Sequence, residues 1–430
     1  MESKESFRIK NLTTRNFKNI ISQEQGASLG DLNIFIGPNG SGKSNFLKTL
    51  RFLRDSLVAT TAAERGITSF EEAVDALGGD KILDASVQKP ACVDLRYEFT
   101  TTNTFPRGGV LDLSLYVKDR KPFITKELLY SATSNQDVPF YYYKSHDRIS
   151  GTGVVSLYEN GEKSKKKKTS FQELSNVPTN QLTLSCIAEL LEQSKFSNEE
   201  TAVYKYRRQL LEAVSQWRFY NANDMNLYDI CHAEPKIGPS DIYLSTSGEN
   251  LPLVLDNLVQ ENYEFEERIN NAMKLVLPET RRVRAVRSGR LSLTVEWHTG
   301  AAEPFYLSDL SDGTVRMLCW AVILHSPLLS SLLVIDEPEL SLHPAWMPIL
   351  AEWIKAAATR TQVIVCTHSP DLLDNFTDRL ETVTCFARSD GTHFTLRKLS
   401  ETELAPKLEE GWQLGDLYRV GDASVGGWPW

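Results

Sequence analysis

Asp31-Leu-Asn-Ile-Phe-Ile36, an apolar run of strand character, passes directly into Gly37-Pro-Asn-Gly-Ser-Gly-Lys43-Ser44, and a helically spaced apolar stretch, Lys43 to Leu57, follows. The octapeptide fits G-x-x-x-x-G-K-[ST], in which glycines let backbone N–H groups turn inward around phosphate oxygens and the helix N-terminus adds favourable partial charge. This strand–loop–helix unit commits the chain to an α/β fold. Gly37, Pro38, Asn39, Gly40, Ser41, Gly42, Lys43, Ser44 and Asn45 are the candidate phosphate- and nucleotide-binding residues. Lys43 is expected to reach the β- and γ-phosphates of a bound ligand, and the Ser44 hydroxyl to ligate Mg²⁺.

Two further apolar runs end in polar residues. Leu332-Leu-Val-Ile-Asp336-Glu337-Pro places two carboxylates at the C-terminal edge of a parallel sheet, where ligands of such sheets bind. Asp336 suits the Mg²⁺ shell and Glu337 suits polarising an attacking water, because phosphoryl transfer depends on positioning and charge neutralisation. Gln362-Val-Ile-Val-Cys-Thr367-His368-Ser369 ends in a histidine whose neutral ring both donates and accepts hydrogen bonds, as a γ-phosphate sensor requires. Glu337 and His368 are the candidate catalytic residues. A hydrolase triad from His368, Ser369 and Asp371 is not favoured, since sequence neighbours rarely form one and no nucleophile elbow is present.

Leu310-Ser311-Asp312-Gly313-Thr314, upstream of the Asp-Glu strand, resembles the signature motif of ABC-type ATPases, Leu-Ser-Gly-Gly-Gln, altered at its third and fifth positions. With Glu339-Leu-Ser341-Leu-His343-Pro344, which resembles the loop after the Asp-Glu strand, the set is similar to the SMC/RecF/OLD branch of that class. Within the branch it most resembles compact bacterial ABC-type predicted ATPases, several of them encoded in anti-phage defence loci. The resemblance implies an ABC-type ATPase head, with a phosphate-loop parallel sheet core, an antiparallel β subdomain and a mostly helical insertion. It also implies ATP and Mg²⁺, and a homodimer or higher oligomer in which Ser311 and Gly313 meet the γ-phosphate held by a second protomer. Ser311 or Asp312 also fits an ordinary helix N-cap. Gln88 stands where the family places a metal- and water-contacting glutamine. Arg15-Asn-Phe17-Lys18-Asn19 resembles its adenine- and ribose-contacting strand end, although Phe17 equally suits a core position.

The order of patterns divides the chain into an N-terminal half-head (1–179), a helical insertion or arm (180–278) and a C-terminal half-head with an aromatic tail (279–430). From Cys92 to Leu157 alternation with period 2 predicts an antiparallel meander, whereas Asn180 to Val276 is mostly of helical period. The signature lies too far beyond the phosphate loop for a transporter subunit. The insertion is too short for the coiled-coil arms of chromosome-organising relatives. The short mixed tail after His368 leaves little room for the acidic nuclease domain of OLD-type proteins, so any cleavage is expected from another chain.

Composition narrows the partners. The longest apolar run, Met317 to Leu324, is far below the roughly 20 residues of a membrane span, and the N-terminus lacks a secretory layout, so a cytoplasmic protein is expected. With 47 basic and 56 acidic residues the net charge is -9, so DNA contact would have to come from local patches. Arg281-Arg-Val-Arg-Ala-Val-Arg287-Ser-Gly-Arg290 is the densest, and fits either phosphate contacts or a solvated, acid-paired sheet face. Lys163 to Lys168 fits a solvated loop or a phosphate-tracking tether. Six scattered cysteines without a CxxC pair suit buried thiols. The glycine- and aromatic-rich tail, Trp412 to Trp430, fits a cover for a core edge or a partner dock.

The expected function is ATP binding and hydrolysis by a head that dimerises around ATP and gates a DNA-linked or anti-phage effector, a nuclease or toxin in trans. The alternatives are a slow nucleotide-dependent scaffold that sequesters a partner, and a RecF-like DNA repair ATPase.

Overall fold

Leu32–Ile36 is buried along its whole length, as a parallel strand covered on both faces must be. In the computed structural model it lies in a parallel array with four other strands. The order is Arg218–Asn221, Leu332–Asp336, Gln362–Cys366, Leu32–Ile36 and Val383–Asp390. Residues 7–21, 26–58, 69–132, 139–147, 151–157, 170–195, 201–301, 303–390 and 392–426 are described. The Lys163–Lys168 run and the last four residues lie outside them. The chain divides into two units, and it passes from one to the other within Val383–Asp390.

The unit comprising Asp31–Gly37, Arg218–Cys385 and Lys398–Trp430 holds the parallel strands. Register pairs Asp336 with Cys366 and Cys366 with Phe35, so three strands end at one level. Asp312–His325 is apolar on nearly all faces, and every residue from Gly313 to Leu324 is buried. A helix of that kind belongs inside a core. Met347–Ala358 packs beside it, and Arg282–Ser288, Ser292–His298 and Phe305–Tyr306 form a separate antiparallel sheet. The strand Arg218–Asn221 interrupts the stretch read as helical. Its four residues are too few to register a period of 2 beside long helical neighbours, and it pairs with Leu332–Asp336 only through the tertiary fold.

The other unit, Met1–Gly30, Pro38–Trp217 and Phe386–Arg397, is built on an eight-stranded antiparallel sheet. The expected meander is present as Val93–Phe99, Gly109–Lys118, Lys121–Tyr130, Tyr141–Asp147 and Thr152–Leu157. Tyr97, fully buried, donates its hydroxyl to the Thr49 carbonyl at 2.8 Å and so ties the sheet to the helix Lys43–Leu57. Glu127 is also fully buried, and its carboxylate accepts the Thr183 and Leu184 N–H groups at 2.8 and 3.1 Å. The exposed donors at the start of the helix Thr183–Gln193 are thereby satisfied from the sheet. All six cysteines are free thiols; Cys186, Cys319, Cys366 and Cys385 are buried, in keeping with the sequence reading. No helix of the described residues is long and apolar enough to cross a membrane.

Candidate functional site

Gly37, Gly40 and Gly42 have φ of 146°, 76° and 97°, backbone conformations that side-chain-bearing residues rarely adopt. At Gly42 a Cβ would also sit 2.8 Å from Ile20 Cγ1, so both torsion and space demand glycine. The helix Lys43–Leu57 starts at Gly42 without a side-chain cap and without an acidic residue in its first turn. Its leading N–H groups and positive dipole end therefore suit an anion. Lys43 is buried, with Nζ 3.1 Å from the Pro38 carbonyl. Ser44 and the loop tip Asn39-Gly40 are exposed. These features fit a polyphosphate.

The turn at Arg15–Asn19 grips this loop from within the same unit. Asn19 Nδ2 donates to the Gly40 carbonyl at 2.7 Å, and Lys18 Nζ to Asn45 Oδ1 at 3.0 Å. Burial, aided by the Lys48 charge, lowers the Lys18 ammonium to about 8. Phe17 is fully buried and so takes the core alternative. Gln88 lies exposed in a loop.

In the other unit, the ends of three parallel strands bring Gly37, Asp336-Glu337 and Thr367-His368 to one edge. Thr367 N donates to the Phe35 carbonyl at 3.1 Å and Glu337 N to the Cys366 carbonyl at 2.9 Å. Glu337 has φ of 54°, a left-handed conformation costing a non-glycine residue about 1–2 kcal/mol. Two asparagines that the sequence reading missed complete the edge. Asn221 Nδ2 donates to Asp336 Oδ2 at 3.1 Å, and Asn223 Nδ2 to Glu337 Oε2 at 2.7 Å. The available signal was Trp217-Arg-Phe-Tyr-Asn221-Ala-Asn223, a short apolar run ending in polar residues like the other two.

Glu339 is a third carboxyl at this edge. Its Oε1 accepts the His368 N–H at 2.7 Å, while Oε2 is buried without a partner. Burial pushes the group up and the Glu337 charge adds to this, opposed by the backbone hydrogen bonds it accepts. Among the described residues no group of three or more His, Cys, Asp or Glu side chains could hold a metal ion by itself. A Mg²⁺ site of one protein carboxylate, a hydroxyl, nucleotide phosphates and water is compatible with that, because Mg²⁺ keeps several waters and borrows substrate oxygens.

Ser311 is exposed and caps the helix Asp312–His325, its Oγ accepting Thr314 N at 3.3 Å. Gly313 is buried; a Cβ there would lie 3.0 Å from the Ser341 carbonyl and 3.1 Å from Trp346 Cζ3. The same helix holds the loop after Glu337 through Arg316 Nη1 to the Leu340 carbonyl at 2.7 Å and Trp320 Nε1 to the Pro338 carbonyl at 3.0 Å. In the basic stretch, Arg282 pairs with Glu266 at 2.5 Å and Arg284 with Glu296 at 3.0 Å.

A parallel sheet whose strand ends carry a glycine-rich loop and an acidic pair, with a large antiparallel sheet in the other unit, is of the α/β class expected from the sequence. The profile of the family described as "AAA domain, putative AbiEii toxin, Type IV TA system" matches residues 32–374, and the chain belongs to that family. Comparison with curated protein sequences gives no match. Among solved structures, the chain is similar to an Smc head bound to the C-winged helix domain of ScpA, at 13% identity and a TM-score of 0.49, covering 92% of this chain and 99% of that one. It is also similar to the SMC head domain of Thermotoga maritima, at 13% identity and 0.41, covering 91% and 99%. A third likeness is to the Pyrococcus furiosus Smc head with an extended coiled coil bound to the C-terminal domain of ScpA, at 12% and 0.45, covering 94% and 99%.

Proposed function

We propose that the chain binds ATP with Mg²⁺ and hydrolyses it to ADP and phosphate. The observation that carries this reading is the uncapped, glycine-initiated helix at Gly42-Lys43, whose leading N–H groups suit a polyphosphate. Gly37 to Asn45 bind the nucleotide, with Lys43 on its phosphates. Ser44, Asp336 and Gln88 would hold Mg²⁺, which would supply positive charge to neutralise the transferred phosphoryl group. Glu337 accepts a proton from the attacking water, and His368 senses the γ-phosphate. Multiple-turnover phosphate release by purified protein tests this. Glu337→Gln should retain ATP and lose turnover, whereas undiminished turnover removes the assigned base.

The finer reading is that two copies sandwich ATP through Ser311 and Gly313, and that the ATP cycle gates a separate toxin or nuclease in the cytoplasm. The toxin–antitoxin wording of the family description supports an effector partner. A second reading, a slow nucleotide-dependent scaffold, draws support from Ser311, whose hydroxyl is engaged with Thr314, and from the altered signature. ATP-dependent complex formation without turnover would select it. RecF-like DNA binding is the least supported, because two arginines of the basic stretch are already paired to glutamates. Salt-dependent DNA binding lost on neutralising Arg281, Arg287 and Arg290 would restore it.

A further inference from the structure

The chain after Leu399 returns to the nucleotide edge of its own unit. The helix Leu414–Arg419 lies on the turn that follows His368: Gly415 N donates to Asp374 Oδ1 at 2.6 Å, Leu414 N to Thr377 Oγ1 at 3.1 Å, and Arg419 Nη2 to Asp371 Oδ1 at 2.5 Å. No side chain fits between them, since a Cβ on Gly415 would come 2.2 Å from the Pro370 carbonyl. From the same helix Tyr418, 4% exposed, donates its hydroxyl to the Gly37 carbonyl at 3.1 Å. Gly37 is the first residue of the phosphate loop and holds φ at 146°, so this bond fixes a peptide in a conformation the loop depends on. Burial pushes the phenol up to about 12, which keeps it a donor through the physiological range. Lys407 Nζ to Asp422 Oδ1 at 2.5 Å and Cys385 Sγ to the Val425 carbonyl at 3.1 Å tie down the rest of the segment. The segment 414–425 itself lies beyond residue 374, where the family match ends.

We propose that Tyr418 is a positioning residue for nucleotide binding, and that residues 414–425 brace the first phosphate-loop peptide and the turn after His368 as one piece. The aromatic tail thereby acquires a task other than covering a core edge. This rests on the ATP reading above, and it couples the C-terminal segment to nucleotide occupancy: what loosens the tail loosens ATP, and ATP tightens the tail.

Two measurements test the brace. Tyr418→Phe removes one hydroxyl and leaves the Gly37 carbonyl without that donor, so the Kd for ATP in titration calorimetry should rise about five- to tenfold. Tyr143→Phe is the matched control. It removes a buried hydroxyl 3.0 Å from Thr183 Oγ1 in the antiparallel sheet, and should lower thermal stability while leaving the Kd unchanged. In the wild-type protein, saturating ATP should slow amide hydrogen exchange across 414–425, a readout that stands even if the variant fails to fold. An unchanged Kd in folded Tyr418→Phe, or exchange in 414–425 indifferent to ATP, overturns the brace while ATP binding survives. Failure of the wild-type chain to bind ATP removes the nucleotide reading and the brace with it.

Discussion

Asn223 Nδ2 donates to Glu337 Oε2 at 2.7 Å, across 114 positions of sequence. The bond engages one carboxylate oxygen of Glu337, and it holds a residue whose backbone is already in a left-handed conformation. Asn223→Ala should therefore lower kcat about tenfold, some 1.4 kcal/mol of barrier, with ATP affinity changed less than about twofold. Asn223→Asp should place a like charge beside Glu337 and move the acid limb of the pH–rate profile upward. Steady-state phosphate release across pH checks both.

Lys18 is held near 8 by burial beside the helix that follows the phosphate loop. A bound polyphosphate favours its charged form, so ATP binding at about pH 8 should be accompanied by proton uptake. Calorimetry in buffers of different ionisation enthalpy measures it, and Lys18→Met should abolish it. In the free protein the lowered folded value means that the unfolded chain binds the extra proton between about pH 8 and 10.5. This group's contribution to stability is therefore unfavourable at and below pH 8 and is relieved as pH rises through that window.

Gly313→Ala would drive a methyl against the Ser341 carbonyl and Trp346. Overpacking of this kind should destabilise the fold by about 1–3 kcal/mol, visible as a lower midpoint in urea. Ser311→Ala, at an exposed cap, should cost about 1 kcal/mol. If Ser311 also serves a second protomer's ATP, its substitution should reduce ATP-dependent dimerisation in sedimentation experiments.

His325 is lowered to about 4 by burial, with Arg360 and Arg268 adding to the effect, and its Nε2 has no hydrogen-bond partner. The unfolded chain binds the proton first as pH falls below about 6.5, so stability present at neutral pH should be lost between about 6.5 and 4, by roughly 3 kcal/mol. His325→Gln should flatten that part of the stability–pH curve in equilibrium denaturation.

The phosphate loop, the Asp-Glu strand and the His368 strand were legible in sequence because each is a local pattern. Buried parallel strands read as short apolar runs, and glycines mark where the backbone must turn left-handed. The strand Leu332–Asp336 and the strand Gln362–Cys366 appear within the residues expected. Asn221, Asn223 and Tyr418 were not legible as site residues. Each is an ordinary polar or aromatic side chain whose partner lies far away in the chain, from Asp336 opposite Asn221 to Gly37 opposite Tyr418. The sequence by itself determined the α/β class, the glycine-rich turn after the first buried strand and the identity of the acidic strand end, since these follow from spacing and backbone preference alone. Only the tertiary structure decided which groups orient those residues, because sheet register and the returning C-terminal segment set distances that no local pattern encodes.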